Sequence, residues 1–225
     1  MSSWALIGAV LSRDLRAEWR RRETVLTIVL FALLTVLTFV FSFDPARHPR
    51  ELVLPGTLWT AFFFAGMLGL NRSAARDQAD GVLTGIAMSP ADRGWLYVAK
   101  IISHFVFMAV GETVVLLLSI VWYDLRSEHL TGMFFLVLLL GTIGFLAVGN
   151  VFVVIGQKSR LQEVMLPVLL LPVLSPLILG LVEATAIILA SGPRGDLISW
   201  LQLIIAFDIL FLGVGFLLYG QTLED

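Results

Sequence analysis

Residues 130–157 read LTGMFFLVLLLGTIGFLAVGNVFVVIGQ, 28 residues without a charged side chain. About 20 apolar residues in a helix cross a hydrocarbon layer of about 30 Å, so this run predicts a membrane span. The pattern repeats outward in both directions. Residues 24–43 and 52–70 carry no charge. Residues 101–123 are apolar apart from His104 and Glu112, 164–190 apart from Glu183, and 197–219 apart from Asp208. Transmembrane β-strands alternate polar and apolar residues with period two, which these runs do not. The predicted fold class is therefore all-α, a polytopic membrane protein with six transmembrane helices in one permease domain over residues 1–225.

Composition agrees. The chain is 58% hydrophobic and 14% charged, against about 45–50% and about 25% in soluble domains. A net charge of −2 leaves no basic excess to hold a nucleic acid. With no cysteine, disulfides, thiolate metal sites and Cys nucleophiles are excluded. The two lysines, Lys100 and Lys158, follow Ala99 and Gln157, so a GxxxxGK[ST] phosphate loop is impossible. There is no nucleophile–base constellation, and the three scattered histidines make no metal cluster. The sequence thus predicts no catalytic site, no metal site and no bound cofactor. Any ATP hydrolysis must come from another chain.

Charge orients the spans. Eleven Lys and Arg fall on the side holding the N-terminal stretch, the 71–100 link and the link at Lys158, against four at Arg47, Arg50, Arg126 and Arg194. The positive-inside rule predicts both termini in the cytoplasm. Ahead of the first span, Trp4, Ile7, Leu11, Leu15 and Trp19 recur every three or four residues while most charges fall elsewhere. Residues 3–22 therefore predict an amphipathic helix lying in the bilayer interface; a helix packed on the protein itself is the alternative.

The 71–100 link is too long to be a mere turn. It predicts a short helix, a break at Pro90, and a second helix capped by Asp92 that begins near Arg93 and enters the third span. Arg76 and Asp80, four apart, can pair on one helical face. The link is either a docking element for a cytoplasmic partner or a solvated connector.

Charges inside spans default to functional candidates because they are costly there. Glu112 and Asp208 each lie about 11 residues into a span, roughly 17 Å. His104 lies on a similar side to Glu112. These residues form either a polar track or neutral carboxyls bonded to Ser, Thr or backbone of neighbouring helices. For Glu183, the prolines at 172 and 176 and Ser191-Gly192-Pro193 also allow a re-entrant turn over 183–195.

Three stretches resemble CcmB, the haem exporter protein B family. Arg76-Asp77-Gln78-Ala79-Asp80-Gly81-Val82-Leu83, ending in Ser89-Pro90, is similar to the family's link. Val98-Ala99-Lys100-Ile101-Ile102-Ser103-His104 is similar to its entry to the third span. Leu166-Pro167, Leu171-Pro172 and Pro176-Leu177 are similar to its proline-punctuated fifth span. Arg13-Asp14-Leu15-Arg16 also fits its basic amphipathic start. Asn71 and Thr84 depart from the family, which usually has acidic residues there.

The resemblance implies an ABC-type membrane subunit of cytochrome c maturation in the bacterial inner membrane, with ABC-2-type permease architecture. It implies a homodimer pairing with a separate cytoplasmic ATPase, which would dock at Arg76, Asp77, Asp80, Gly81 and Pro90. A haem-handling membrane protein and a haem chaperone would join them, with haem as substrate of the complex. An ABC-2 permease exporting a lipid, glycan or drug is the rival reading. His48 and His129 fall in outer loops and read as exposed loop histidines. Trp122-Tyr123-Asp124 does not match the tryptophan-rich signature of haem-handling membrane proteins.

Overall fold

The computed structural model describes residues 3–43, 48–79, 93–126, 128–156 and 162–222. These form α1 (Ser3–Arg21), α2 (Glu23–Ser42), α3 (Arg50–Ala79), α4 (Arg93–Trp122), α5 (Gly132–Gly156), α6 (Gln162–Leu189) and α7 (Arg194–Thr222), with no strand among the described residues. Helices α2 to α7 are each long and apolar enough to cross a bilayer. The protein is an all-α, multi-pass membrane protein.

Each expected span coincides with one of these helices, but α3 and α4 overrun theirs by about two turns. Residues 71–79, expected as a separate short helix, are the continuation of α3. The rest of that link, 80–92, lies outside the described residues, as do Lys158 and Arg160. Consecutive spans run antiparallel, so the end of α3, the start of α4 and the ends of α5 and α7 gather beside α1. This is called the α1 end below.

α3 and α5 occupy the middle. α2 and α4 pack on α3, and α6 and α7 pack on α5. Outward faces are apolar: Phe41 is 81% exposed, Val121 72% and Leu217 70%. In water such faces would drive aggregation; in lipid they cost nothing. Helix association in lipid relies on close van der Waals packing over small residues. α2 shows this, burying Thr24, Ile28, Ala32, Val36 and Val40 at four-residue intervals. A Cβ on Gly69 would lie 2.7 Å from the Ile28 side chain, so the absent side chain sets the α2–α3 approach.

The three prolines of α6 do not break it. Pro176 has no N–H for the Pro172 carbonyl, and the Ser175 hydroxyl donates to that oxygen instead, at 2.8 Å. Such local repair is how proline survives in lipid. α6 then runs unbroken to Leu189 and ends in a Schellman turn. Ser191 is left-handed (φ 51°), Gly192 N–H donates to Ile187 O at 2.8 Å, and Ser191 N–H to Ile188 O at 3.3 Å. α7 starts at Arg194. Of the arrangements the sequence leaves open over 183–195, the structure has a capped helix and a tight reversal rather than a re-entrant turn.

Candidate functional site

The candidate site is a buried cluster of charge at the α1 end. The amphipathic pattern of α1 hides a second face. Ile7, Val10, Asp14 and Glu18 are spaced three and four apart and are all buried, Asp14 to 1% and Glu18 to 4% exposure. Part of the apolar stripe points elsewhere, with Trp4 78% and Leu15 37% exposed. α1 is seated on the protein by Ile7 and Val10 at its first turns and by the charges of Asp14 and Glu18 further on.

Arg13 and Lys100 together bridge two carboxylates. Lys100 Nζ lies 3.0 Å from Asp14 Oδ2 and 2.6 Å from Asp77 Oδ2. Arg13 Nε donates to Asp14 Oδ1 at 2.9 Å, and its Nη2 reaches Asp77 Oδ1 at 3.2 Å. The Ser103 hydroxyl donates to Asp14 Oδ2 at 3.0 Å. Burial pushes the Asp14 carboxyl up, but the charges of Lys100 and Arg13 outweigh it and hold the group below its ordinary 3.8.

A second branch starts at Glu18. Its Oε2 takes Arg76 Nη1 at 2.7 Å, and its Oε1 takes the Val25 N–H at 2.9 Å. The same carboxylate thus caps the first turn of α2 and pins α3. Burial raises this group, while the Val25 N–H, Thr24 and Arg76 lower it further, leaving it below its ordinary 4.5. Arg76 Nη2 also donates to Ser73 Oγ at 3.4 Å. Ser73 Oγ lies 2.9 Å from His104 Nε2, and His104 Nδ1 lies 2.8 Å from Asn150 Oδ1. Asn150 Nδ2 donates to Leu146 O at 2.8 Å, so its Oδ1 is the acceptor. His104 therefore carries its proton on Nδ1 and accepts from Ser73 on Nε2. Donors and acceptors line up in one sense from Arg76 to α5.

Three cations (Arg13, Arg76, Lys100) thus face three carboxylates (Asp14, Glu18, Asp77). A balanced, multiply bonded set is the arrangement in which buried charge is tolerable. The Arg13-Asp14, Arg76-Asp77 and Lys100-to-His104 stretches, 86 or more residues apart at their extremes, converge here.

Arg76 and Asp77 are accordingly not outward-facing. Arg76, expected to pair with Asp80, pairs with Glu18, and Asp77 is 8% exposed. α1 and α4 hold these two side chains within the chain. Asp80, Gly81 and Pro90 lie outside the described residues.

His104 belongs to the cluster, while Glu112 stands two turns further along α4. Thr142 of α5 donates its hydroxyl to Glu112 Oε1, as expected of a carboxyl bonded to a neighbouring helix. Asp208 departs from that expectation. It is 4% exposed, and neither carboxyl oxygen has a hydrogen-bond partner among the described residues. It lies against Gly144, where a Cβ would collide with Oδ1. Glu183 sits on an exposed position near the end of α6. His129, expected as an exposed loop residue, is 7% exposed, whereas His48 is exposed.

Sequence reasoning missed Glu18, Ser73, Ser103, Thr142 and Asn150 as partners. Asn150 had a signal: an amide in a run otherwise almost wholly apolar must find a partner in lipid.

Residues 5–224 match the family described as CcmB protein. The chain is 28% identical over 189 residues to the "Heme exporter protein B" of Bradyrhizobium diazoefficiens, covering 83% of each chain. It is 25% identical over 176 residues to the protein of that name from Pseudomonas aeruginosa, covering 78% of each. With that of Escherichia coli K12 the identity is 27% over 169 residues, 74% of this chain and 75% of the other. Matched over nearly its whole length, the chain belongs to the CcmB family.

Proposed function

We propose that this chain is the membrane subunit of an ABC-type complex of cytochrome c maturation. A separate cytoplasmic ATPase supplies the hydrolysis, and the complex exports haem or releases the haem-loaded chaperone. Family membership and the name of its relatives, haem exporter protein B, support the substrate class. The eleven-to-four charge asymmetry supports an inner-membrane orientation with the α1 end in the cytoplasm.

The observation that carries the coupling role is the Lys100–Asp77 ion pair. It joins α3 and α4 immediately behind residues 80–92, and Asp14 ties α1 to the same ammonium. An ATPase without a membrane span can act only on cytoplasmic segments, and the 71–100 link is the longest cytoplasmic connection between spans. In this reading Asp80, Gly81 and Pro90 meet the ATPase, and the cluster passes that push to α1, α3 and α4 as one block. Two copies pairing with two ATPase subunits complete the assembly the family resemblance implies.

The test is complementation of cells lacking their own subunit. The chain should restore maturation of c-type cytochromes and co-purify with the ATPase. Asp80→Lys with Gly81→Val should insert normally yet lose both. Normal maturation and ATPase binding by that double variant would refute the docking role of the link.

A further inference from the structure

A groove of about 590 Å³ opens between α1, α2 and α4, beside the elbow at Arg22. Its walls are Leu15 of α1, Leu26 and Val29 of α2, and Val106 and Val110 of α4. It runs from Arg22 to at least Val29, about 10 Å into the apolar layer at 1.5 Å per residue. The walls stand open outward: Leu26 is 56% exposed, Val110 40% and Val106 39%. Water in such a groove would lack polar partners, and an empty groove would forfeit dispersion contacts on every side.

The charge at the mouth narrows the choice of occupant. Arg22 holds a left-handed backbone (φ 57°) between two helices and lines the groove. It follows Arg20 and Arg21 in sequence. Glu18 also lines the groove, but its carboxylate is held by Arg76 and by the Val25 N–H, so its charge is neutralised within the protein. A greasy trough with Arg22 at its mouth matches an acyl chain under an anionic headgroup.

We infer that the α1–α2–α4 groove is a binding site for an anionic phospholipid of the surrounding leaflet, with one acyl chain along Val29 and Val110 and the phosphate at Arg22. The lipid would fill the space under α1 and support the helix that the ion cluster seats from the other side. This inference is independent of the transported substrate.

The probe is phosphatidylglycerol against phosphatidylethanolamine, mixed equally in nanodiscs with the full chain and read by native mass spectrometry after ejection. Wild type should retain phosphatidylglycerol at least fivefold over phosphatidylethanolamine. Arg22→Asn keeps a residue that tolerates the left-handed backbone and should abolish that preference. Val110→Trp fills the trough and should lower retention of both lipids at least fivefold. Arg126→Asn, at the far end, should change neither. Equal retention of the two lipids by wild type, an unchanged preference in Arg22→Asn, or unchanged retention in Val110→Trp would each overturn the site. So would a second protein copy, lost in Val110→Trp, in place of lipid.

Discussion

Lys100 Nζ lies 2.6 Å from Asp77 Oδ2, an ion pair between the last turn of α3 and the early turns of α4. The same nitrogen holds Asp14 at 3.0 Å. Removing it leaves two buried carboxylates that share the half-exposed Arg13 guanidinium in place of two cations. Loss of one partner of a buried pair costs about 3–5 kcal/mol. Lys100→Met should therefore lower the Tm in detergent sharply and expose α1 to protease. Adding Asp14→Asn and Asp77→Asn should recover most of the loss, because no buried charge is then left alone.

Acid should release α1. Asp14 and Glu18 both have folded-state values below their ordinary 3.8 and 4.5. Depressed carboxyls contribute stability that is full above the unfolded values and lost as pH falls through the folded ones. Protection of α1 amides, taken relative to their intrinsic exchange at each pH, should be high and flat from pH 8 down to pH 5 and fall below pH 4. In Asp14→Asn the plateau should be less protected and the acid step smaller.

Glu112 meets Thr142, and His104 meets Asn150. The two contacts are eight residues apart on each antiparallel helix, forming two polar rungs between α4 and α5. A glutamine at 112 keeps an acceptor for the Thr142 hydroxyl. Glu112→Gln should therefore leave the unfolding free energy within about 1 kcal/mol of wild type and preserve cytochrome maturation. An assembled Gln variant that fails to mature cytochromes would give the acidic proton a role beyond structure.

Asp208 and Gly144 form a size-matched pair. A Cβ on Gly144 would meet the carboxyl and come within 2.9 Å of Leu177. Gly144→Ala should cost about 1–3 kcal/mol, the usual range for overpacking. Combining it with Asp208→Ala should restore part of that, a coupling a double-mutant cycle would measure. Asp208→Asn alone should be close to neutral, since the carboxyl has no partner to lose among the described residues.

Topology can be read with thiol reagents in this cysteine-free chain. Ser73 is unsuitable despite its place after the second span, because it is buried and bonded to His104. Ala79, exposed at the end of α3, and Glu128, exposed at the opposite end, should report opposite faces. Ala79→Cys should label only after the cytoplasmic side is opened, and Glu128→Cys in intact cells.

The spans were legible because an uncharged run of 20 or more residues has few other readings. The cluster was not, for two physical reasons. A charge run in sequence normally means a solvated face, so Arg76-Asp77 read as surface, and only tertiary packing turned it inward against α1. The stripe of Trp4, Leu11 and Leu15 gave α1 one visible face, while the decisive face, Asp14 and Glu18, looked like ordinary exposed acids. The end of α6 was left open for the opposite reason. Pro172 and Pro176 weaken a helix by propensity, yet Ser175 replaces the missing donor locally.

The seating of α1 by ion pairs also dictates an order of events at the ribosome. Asp14 and Glu18 are made early, but Arg76 and Lys100 emerge only after two spans have been synthesised. Until then α1 lacks the cations of α3 and α4 on which Asp14 and Glu18 dock. Its arrival marks the moment the first three spans have come together, so the N-terminal helix is the last part of this half of the protein to find its place.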